Sequence, residues 1–292
     1  ISSLAAYNRV LTASEIYNLY ITSVIIRSTD YGNTFTDVPN TSLTGTTYWR
    51  AIATTNSASV QTALAYGSTI YRSSDTGATW NSTAAVDIVG ILSTEFSSSV
   101  SPTYAWKSIA MSSDAKYQTG VLGGTSITGQ IYVNSNYGRE TWTAVDSARN
   151  WVSVAMSGDG KYQSAVATGG AIYYNSTFGL GTWTAVSTPT GLTWTSIAVS
   201  SASGQYQTAV ASGATNIYVN SNYGVSGSWT SKDNPRNWFG VAVSSTGQYQ
   251  TAINRSGYIY VDISFGAAAS WTSVLTDTPR DWVSVAMSST GQ

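Results

Sequence analysis

Residues 151–186 read WVSVAMSGDGKYQSAVATGGAIYYNSTFGLGTWTAV, and this stretch decides the fold. It divides into four short runs, 151–157, 162–167, 171–175 and 182–186, each rich in Val, Ile, Tyr, Trp and Thr. Such residues suit a pleated, half-buried backbone. Turn formers bound each run: Gly158, Asp159 and Gly160, then Gly169 and Gly170, then a loop ending at Gly181. Loops this short join antiparallel strands. A single four-stranded sheet leaves both faces bare, so it requires neighbours.

The neighbours are copies of itself. The leading tryptophan recurs at Trp49, Trp106, Trp151, Trp194, Trp238 and Trp282, at spacings of 57, 45, 43, 44 and 44 residues. Four strands in about 44 residues is the repeat of a β-propeller blade. Blades stack face to face about an axis, which buries both faces of each sheet. The strands accordingly mix small residues with apolar ones, as in Ser153-Val154-Ala155 and Ser196-Ile197-Ala198. Small side chains let sheets approach near the axis, and Trp and Tyr fill the wider gaps outside.

The 292 residues are enough for one large all-β domain, and the repeat favours one domain over two. Five whole units follow Trp49. Residues 21–48 hold half a unit, in which 24–28 aligns with 70–74, and residues 282–292 (WVSVAMSSTGQ) hold the opposite half. The two halves together predict a composite blade and a closed six-bladed ring, with seven blades as the alternative. Residues 87–105 form the longest insertion, a rim loop that is either a recognition element or a tolerated extension.

Net charge is −1 and only 9% of residues are charged, against about 25% in ordinary soluble domains. Nucleic acid is therefore not an expected partner, because it demands clustered Lys and Arg. Histidine and cysteine are absent, which removes zinc sites, disulfides and His-based acid–base chemistry. No cofactor or metal is expected. No apolar run reaches the ~18 residues of a membrane span. The chain opens at Ile1 and stops inside a repeat at Gln292, as a fragment or a processed piece would.

Residues 1–20 differ from the repeats. Thr12 can cap the backbone at Glu15, Glu15 can reach back, and Leu11 with Ile16 can form a hydrophobic staple, so a short helix is predicted over 13–20. Tyr7-Asn8-Arg9, Leu11, Ser14-Glu15-Ile16 and Leu19-Tyr20 also resemble the closing segment of laminin-G-like, concanavalin-type jelly rolls. That resemblance covers only these 20 residues and implies a carbohydrate-recognising jelly roll upstream.

Two hairpins carry a sharper pattern. Ser28, Asp30, Gly32, Thr34 and Phe35, and again Ser73, Asp75, Gly77, Thr79 and Trp80, fit S-x-D-x-G-x-T-W/F. The chain here resembles the Asp-box (BNR) repeats of sialidase-like propellers. In such a box the carboxylate accepts backbone N–H groups, Gly supplies the turn and the aromatic packs beneath it. Later units degrade the box to Asn134 to Gly138, Asn175 to Gly179 and Asn220 to Gly224, where Asn can do the turn work of Asp.

The resemblance does not extend to catalysis. A retaining sialidase needs an arginine cluster, a Tyr–Glu nucleophile pair and an acid/base Asp. The family's Phe-Arg-Ile-Pro motif is missing, and the only glutamates are Glu15, Glu95 and Glu140. Arg27 and Arg72 sit at equivalent repeat positions, as shared ancestry of the repeats would place them. No catalytic residue is assigned.

Three further sets of residues are singled out. Arg149, Arg236 and Arg280 each precede a first strand and follow an Asp (146, 233, 277) by three residues, a spacing for ion pairing or ring stacking. Asn40, Asn81, Asn175 and Asn254 open Asn-x-Ser/Thr sequons, candidates for glycosylation in an exported protein. Tyr31, Tyr137 and Tyr223 lie in loops and are candidates for stacking on sugars, whereas Tyr174 and Tyr260 read as blade core.

The sequence thus predicts a non-catalytic propeller at an extracellular or particle surface, a scaffold for adhesion, glycan recognition or assembly. Glycans or copies of itself are the expected partners. A sialidase-like glycoside hydrolase and a fibre or virion subunit are the competing readings. The hydrolase reading requires carboxylates near the axis, and it fails if Asp114, Asp159 and Glu140 lie on outer turns. Fold by itself does not choose among these.

Overall fold

A computed structural model describes residues 25–28, 33–38, 49–55, 57–65, 70–83, 106–124, 127–139, 142–267, 271–274, 276 and 278–291. A short two-stranded ribbon comes first, β1 (Ile26–Arg27) against β2 (Thr36–Asp37). Five four-stranded antiparallel sheets follow. The first is β3 (Trp49–Thr54), β4 (Gln61–Ala65), β5 (Ile70–Ser73) and β6 (Asn81–Thr83). The second is β7 (Trp106–Met111), β8 (Gln118–Gly124), β9 (Ile127–Asn134) and β10 (Thr143–Arg149). The third, from the stretch quoted above, is β11 (Trp151–Met156), β12 (Gln163–Ala167), β13 (Ala171–Asn175) and β14 (Thr184–Thr190). The fourth is β15 (Thr193–Val199), β16 (Gln207–Ser212), β17 (Thr215–Asn220) and β18 (Trp229–Arg236). The fifth is β19 (Trp238–Val243), β20 (Gln250–Asn254), β21 (Ile259–Asp262) and β22 (Thr272–Val274).

Each blade is a meander, its strands paired in sequence order. The first strands line up along the repeat, with β3 against β7, β7 against β11, β11 against β15 and β15 against β19. In all five blades the first pair slips register just after its tryptophan, leaving Arg50, Lys107, Val152, Thr195 and Phe239 as the extra residue of a bulge.

The tryptophan is the centre of each blade. Trp106, Trp151, Trp194 and Trp238 are almost completely buried, and Trp49 nearly so. Each meets the tyrosine of its own third strand edge to face. The pairs are Trp49–Tyr71, Trp106–Tyr132, Trp151–Tyr173, Trp194–Tyr218 and Trp238–Tyr260, with centroids 4.9–5.5 Å apart. Such pairs add about 0.5–1.5 kcal/mol each beyond their buried area. Closer to the axis small residues take over. The hydroxyls of Ser108, Ser153 and Ser196 accept the backbone N–H of Val154, Ile197 and Val241 in the next blade, at 3.3–3.4 Å.

The expected six-bladed ring, and its seven-bladed alternative, are corrected here: the described residues make five four-stranded blades. In every complete blade the second strand lies between the first and the third. The N-terminal half-unit contributes only the equivalents of third and fourth strands, β1 and β2, which pair with each other. Residues 282–291 contribute only the equivalent of a first strand and form no ladder. Neither half holds the middle strand that would join them, so no composite blade forms among the described residues. No helix occurs among the described residues either. The helix predicted over 13–20, and the jelly-roll resemblance with it, lie outside them, as does the insertion 87–105.

Candidate functional site

The repeated hairpins between third and fourth strands are the best-built feature of the molecule. In the first blade the hairpin at 73–80 is held by its own side chains. The Ser73 hydroxyl accepts the Gly77 N–H (2.9 Å) and donates to Asp75 Oδ1 (2.7 Å). Asp75 in turn accepts the Thr79 N–H (2.9 Å) and the Thr79 hydroxyl (2.5 Å). Hydrogen bonds from the Thr79 hydroxyl, the Thr79 N–H and the Ser73 hydroxyl lower the exposed Asp75 carboxyl to about 2. Trp80 closes the turn from below, donating its indole N–H to Gly77 O at 3.2 Å.

The later blades reach the same geometry by different chemistry. The first box position, where Ser73 accepts the Gly77 N–H, is taken by a stronger acceptor, and the third-position carboxylate is gone. Asn134 Oδ1 accepts the N–H groups of Asn136 and Gly138, both at 2.8 Å. Asn175 does the same for Thr177 and Gly179, and Asn220 for Asn222 and Gly224. Each asparagine also donates from Nδ2 to a carbonyl five residues on: Arg139, Leu180 and Val225. In the fifth blade Asp262 takes the position and accepts from Ser264 and Gly266. The fourth box residue, Thr76, Tyr137, Phe178, Tyr223 or Phe265, has φ of 55–60° and precedes a glycine that is also left-handed. Gly179 could not be replaced freely, since a Cβ there would also lie 2.8 Å from Val133 and Gln163.

A second repeated device joins one blade to the next. Gln118, Gln163, Gln207 and Gln250 open the second strands and are fully buried. Each donates from Nε2 to a turn carbonyl three residues earlier: Ala115, Gly160, Gly204 and Gly247. Each also accepts, at Oε1, a hydroxyl from the preceding blade. The donors are Thr62 (2.9 Å), Thr119 (2.6 Å), Ser164 (2.6 Å) and Thr208 (2.6 Å). This lock escaped the sequence reading, although its signal is present. Tyr-Gln-Thr/Ser recurs at 117–119, 162–164, 206–208 and 249–251.

The tyrosine of that tripeptide has its own partner. Tyr117 stacks on Phe178, Tyr162 on Tyr223 and Tyr206 on Phe265, with centroids 4.5–4.7 Å apart. The box aromatic of one blade therefore covers the turn tyrosine of the blade before. Tyr223, expected to be a ligand-stacking side chain, is spent on Tyr162. Tyr137 is the exception. Val60 stands where its stacking tyrosine would be, so Tyr137 has no ring partner among the described residues, although at 40% it is no more exposed than Phe265. Its carbonyl accepts Arg72 Nε at 2.8 Å. Burial, and then the nearby Arg139, lower the Arg72 pKa. Tyr31 lies outside the described residues.

The other candidates fall as follows. Asp30 and Gly32 lie outside the described residues, and Phe35 is half-buried. Among the sequons, Asn40 lies outside and Asn81 is exposed at the start of β6. Asn175 is buried with its amide committed to the turn, so the fold opposes a glycan there. Asn254 is half-buried, with a buried Oδ1 that has no partner among the described residues. Arg149 pairs with Asp146 at 2.8 Å and lies 4.3 Å over the Tyr173 ring. Arg236 pairs with Asp233 and lies 4.2 Å over Tyr260. Asp277 is outside the described residues.

Asp114 and Asp159 also sit in turns. Asp114 accepts the Ser112 hydroxyl (2.6 Å) and the Lys116 N–H (2.9 Å). Asp159 does the same with Ser157 and Lys161. Burial pushes the Asp114 carboxyl up, but the Ser112 and Lys116 interactions together outweigh it and hold it below the usual range. Glu140, like Glu15 and Glu95, lies outside the described residues. Among the described residues no three acidic groups gather to hold a cation. The bulge residues Arg50 and Lys107 stand on adjacent first strands, and burial, then Arg50, lowers the Lys107 pKa.

No protein-family model and no curated protein sequence matches the chain. Solved structures do. YCF48 from Cyanidioschyzon merolae aligns over 86% of this chain and 78% of its own, at 14% identity and a TM-score of 0.59. A YCF48 bound to D1 peptide aligns over 80% and 69%, at 13% identity and a TM-score of 0.54. The GH74 xyloglucanase from Xanthomonas campestris aligns over 84% of this chain but only 41% of its own, at 15% identity and a TM-score of 0.61. At these identities the likeness establishes a β-propeller fold and nothing finer.

Proposed function

We propose that the chain is a non-catalytic propeller scaffold, displayed outside the cell or on a particle, that recognises glycans through the surface around Tyr137. The observation that carries this reading is the contrast between Tyr137 and its repeat equivalents. Phe178, Tyr223 and Phe265 each lie against a tyrosine ring of the preceding blade, whereas Tyr137 has no ring partner among the described residues and stands on a backbone pinned by Arg72. A rigid, partly exposed aromatic ring is the group sugars stack on. The described carboxylates support the non-catalytic side of the reading, because those of Asp75, Asp114, Asp146, Asp159, Asp233 and Asp262 are occupied by turn N–H groups, hydroxyls or arginines. One neighbour carries a peptide and another is named for a glycan-cleaving activity, so the shared fold is compatible with holding an extended polymer.

The test is a glycan array followed by titration of any hit against two variants. Tyr137→Ala is expected to weaken binding by tenfold or more, about 1.4 kcal/mol. Tyr223→Ala, whose ring is already covered, is expected to leave affinity within twofold. Equal losses, or no glycan bound at all, would remove the proposal.

A further inference from the structure

The junction between the first and second blades departs from the repeat, and its departures meet around Tyr137. Each later junction gathers the residue before the first box position and the turn tyrosine of one blade with the fourth and sixth box residues of the next. Between the second and third blades these are Val133, Tyr117, Phe178 and Leu180. Between the fourth and fifth they are Val219, Tyr206, Phe265 and Ala267. None is charged, and the valine wedges against the next hairpin at Gly179 or Gly266. At the first junction the same positions hold Arg72, Val60, Tyr137 and Arg139. The wedge and the sixth box residue have become arginines, and the stacking ring is gone.

Arg72 is half-buried, and its Nε donates to Tyr137 O at 2.8 Å. That bond fixes the guanidinium beside Tyr137 and leaves both Nη groups without a hydrogen-bond partner among the described residues. Arg139 stands two residues past Tyr137 on the same hairpin, exposed, and its side chain has no hydrogen bond or ion pair among the described residues. The two cations feel each other: after burial, Arg139 is what lowers the Arg72 pKa. The carboxylates of the flanking turns do not neutralise them. Asp75 is closed on Ser73 and Thr79, and Asp114 on Ser112 and Lys116, and neither arginine is among the groups that hold those carboxyls low. Two like charges partly withdrawn from water repel, and an anion placed between them relieves the repulsion. Arg27 repeats the reach of Arg72 one unit earlier, donating to Thr76 Oγ1 at 2.9 Å, but that hairpin has Thr76 and Ala78 in place of the ring and the second cation.

We infer that this junction is a carboxylate subsite, so that the glycan held at Tyr137 is an acidic one built of hexuronate units. The inference rests on the reading of Tyr137 as a sugar platform and adds the charge of the sugar. The uronate ring stacks on the phenol, its exocyclic carboxylate accepts N–H groups from the Nη edge of Arg72, and Arg139 supplies a second cation from the exposed side. The end of a guanidinium offers two parallel N–H groups that match the two oxygens of a carboxylate. Because Nε of Arg72 is already bonded, that edge is oriented before a ligand arrives, which reduces the ordering cost of binding.

The probes are oligomers of galacturonate, mannuronate and glucuronate, each titrated into the full chain beside its methyl ester, which keeps the ring and removes the charge. At least one acid is expected to saturate one-to-one, about tenfold or more tighter than its ester, with affinity falling as NaCl rises. Arg139→Gln changes an exposed side chain that holds no other group in place. It is expected to weaken the acid about tenfold and leave the ester within about twofold, and Arg139→Lys should recover part of the loss. Tyr137→Ala should weaken acid and ester alike. Acid and ester bound equally, and both lost in Tyr137→Ala, would overturn the carboxylate subsite while the glycan reading stands. An acid that depends on Arg139 but is indifferent to Tyr137→Ala would overturn both. Failure of all three acids overturns the inference, and a neutral glycan bound through Tyr137 would then still support the glycan reading. A sulfated cellulose oligomer bound in preference to every uronate overturns the assignment to a carboxylate.

Discussion

The hairpin at 73–80 and the hairpin at 220–229 hold the same backbone shape with different chemistry. The first uses an exposed, ionised carboxylate, with Asp75 bound to Thr79 and relayed through Ser73 to Gly77. The second uses a neutral amide that is completely buried, with Asn220 bound to Asn222, Gly224 and Val225. What the difference teaches is that the box is a solution to a turn geometry and not a conserved piece of reaction chemistry. Two adjacent left-handed residues leave N–H groups pointing inward, and any well-placed oxygen acceptor satisfies them.

The comparison breaks most readily at Asn220. Asn220→Ala strips two N–H groups and one carbonyl of their partner inside a buried turn, and each costs about 1–3 kcal/mol. Urea unfolding should show a loss of about 3 kcal/mol or more. Asp75→Ala, on an exposed turn where water can substitute, should cost about 1 kcal/mol. Equal losses would mean that burial does not separate the two turns.

The paired tyrosines sharpen the same contrast at smaller size. Tyr223→Ala removes a ring stacked on Tyr162 and should cost about 1 kcal/mol in thermal or urea unfolding. Tyr137→Ala, with no ring beneath it, should change stability by less than about 0.5 kcal/mol. A Tyr137 loss as large as the Tyr223 loss would show that its ring is covered.

The smallest effect is the most diagnostic in sign. The folded Asp75 carboxyl lies at about 2, below the ~3.9 of an unfolded aspartate. Its contribution is therefore complete above about pH 4 and is lost as pH falls through about 2. The stability gap between the wild type and Asp75→Asn should close over that interval. The Asn220→Ala deficit, with no titrating group, should persist through it.

Much of the blade was legible in the sequence. The tryptophan period sets the first strands at Trp49, Trp106, Trp151 and Trp238, and the runs read at 151–157, 162–167 and 171–175 match β11, β12 and β13 closely. Strand-forming side chains and turn residues act locally, so a local reading finds them. The number of blades was not legible. Adding two half-units assumes that halves complement one another, and here both lack a second strand. The side chains that join blades were missed for a related reason. The Thr119–Gln163 bond spans 44 residues, and a repeat analysis aligns equivalent positions without indicating which of them touch. Tyr223 and Asn175 were misread because a loop position suggested exposure, whereas the preceding blade covers the one and the turn engages the other.

The glutamine lock has a direction. In all four instances the hydroxyl belongs to the earlier blade and the amide oxygen to the later one, while the glutamine's own nitrogen is already tied within its blade. The row of blades is therefore polar: each offers a hydroxyl to its successor and an amide oxygen to its predecessor, so its two ends present different chemistry.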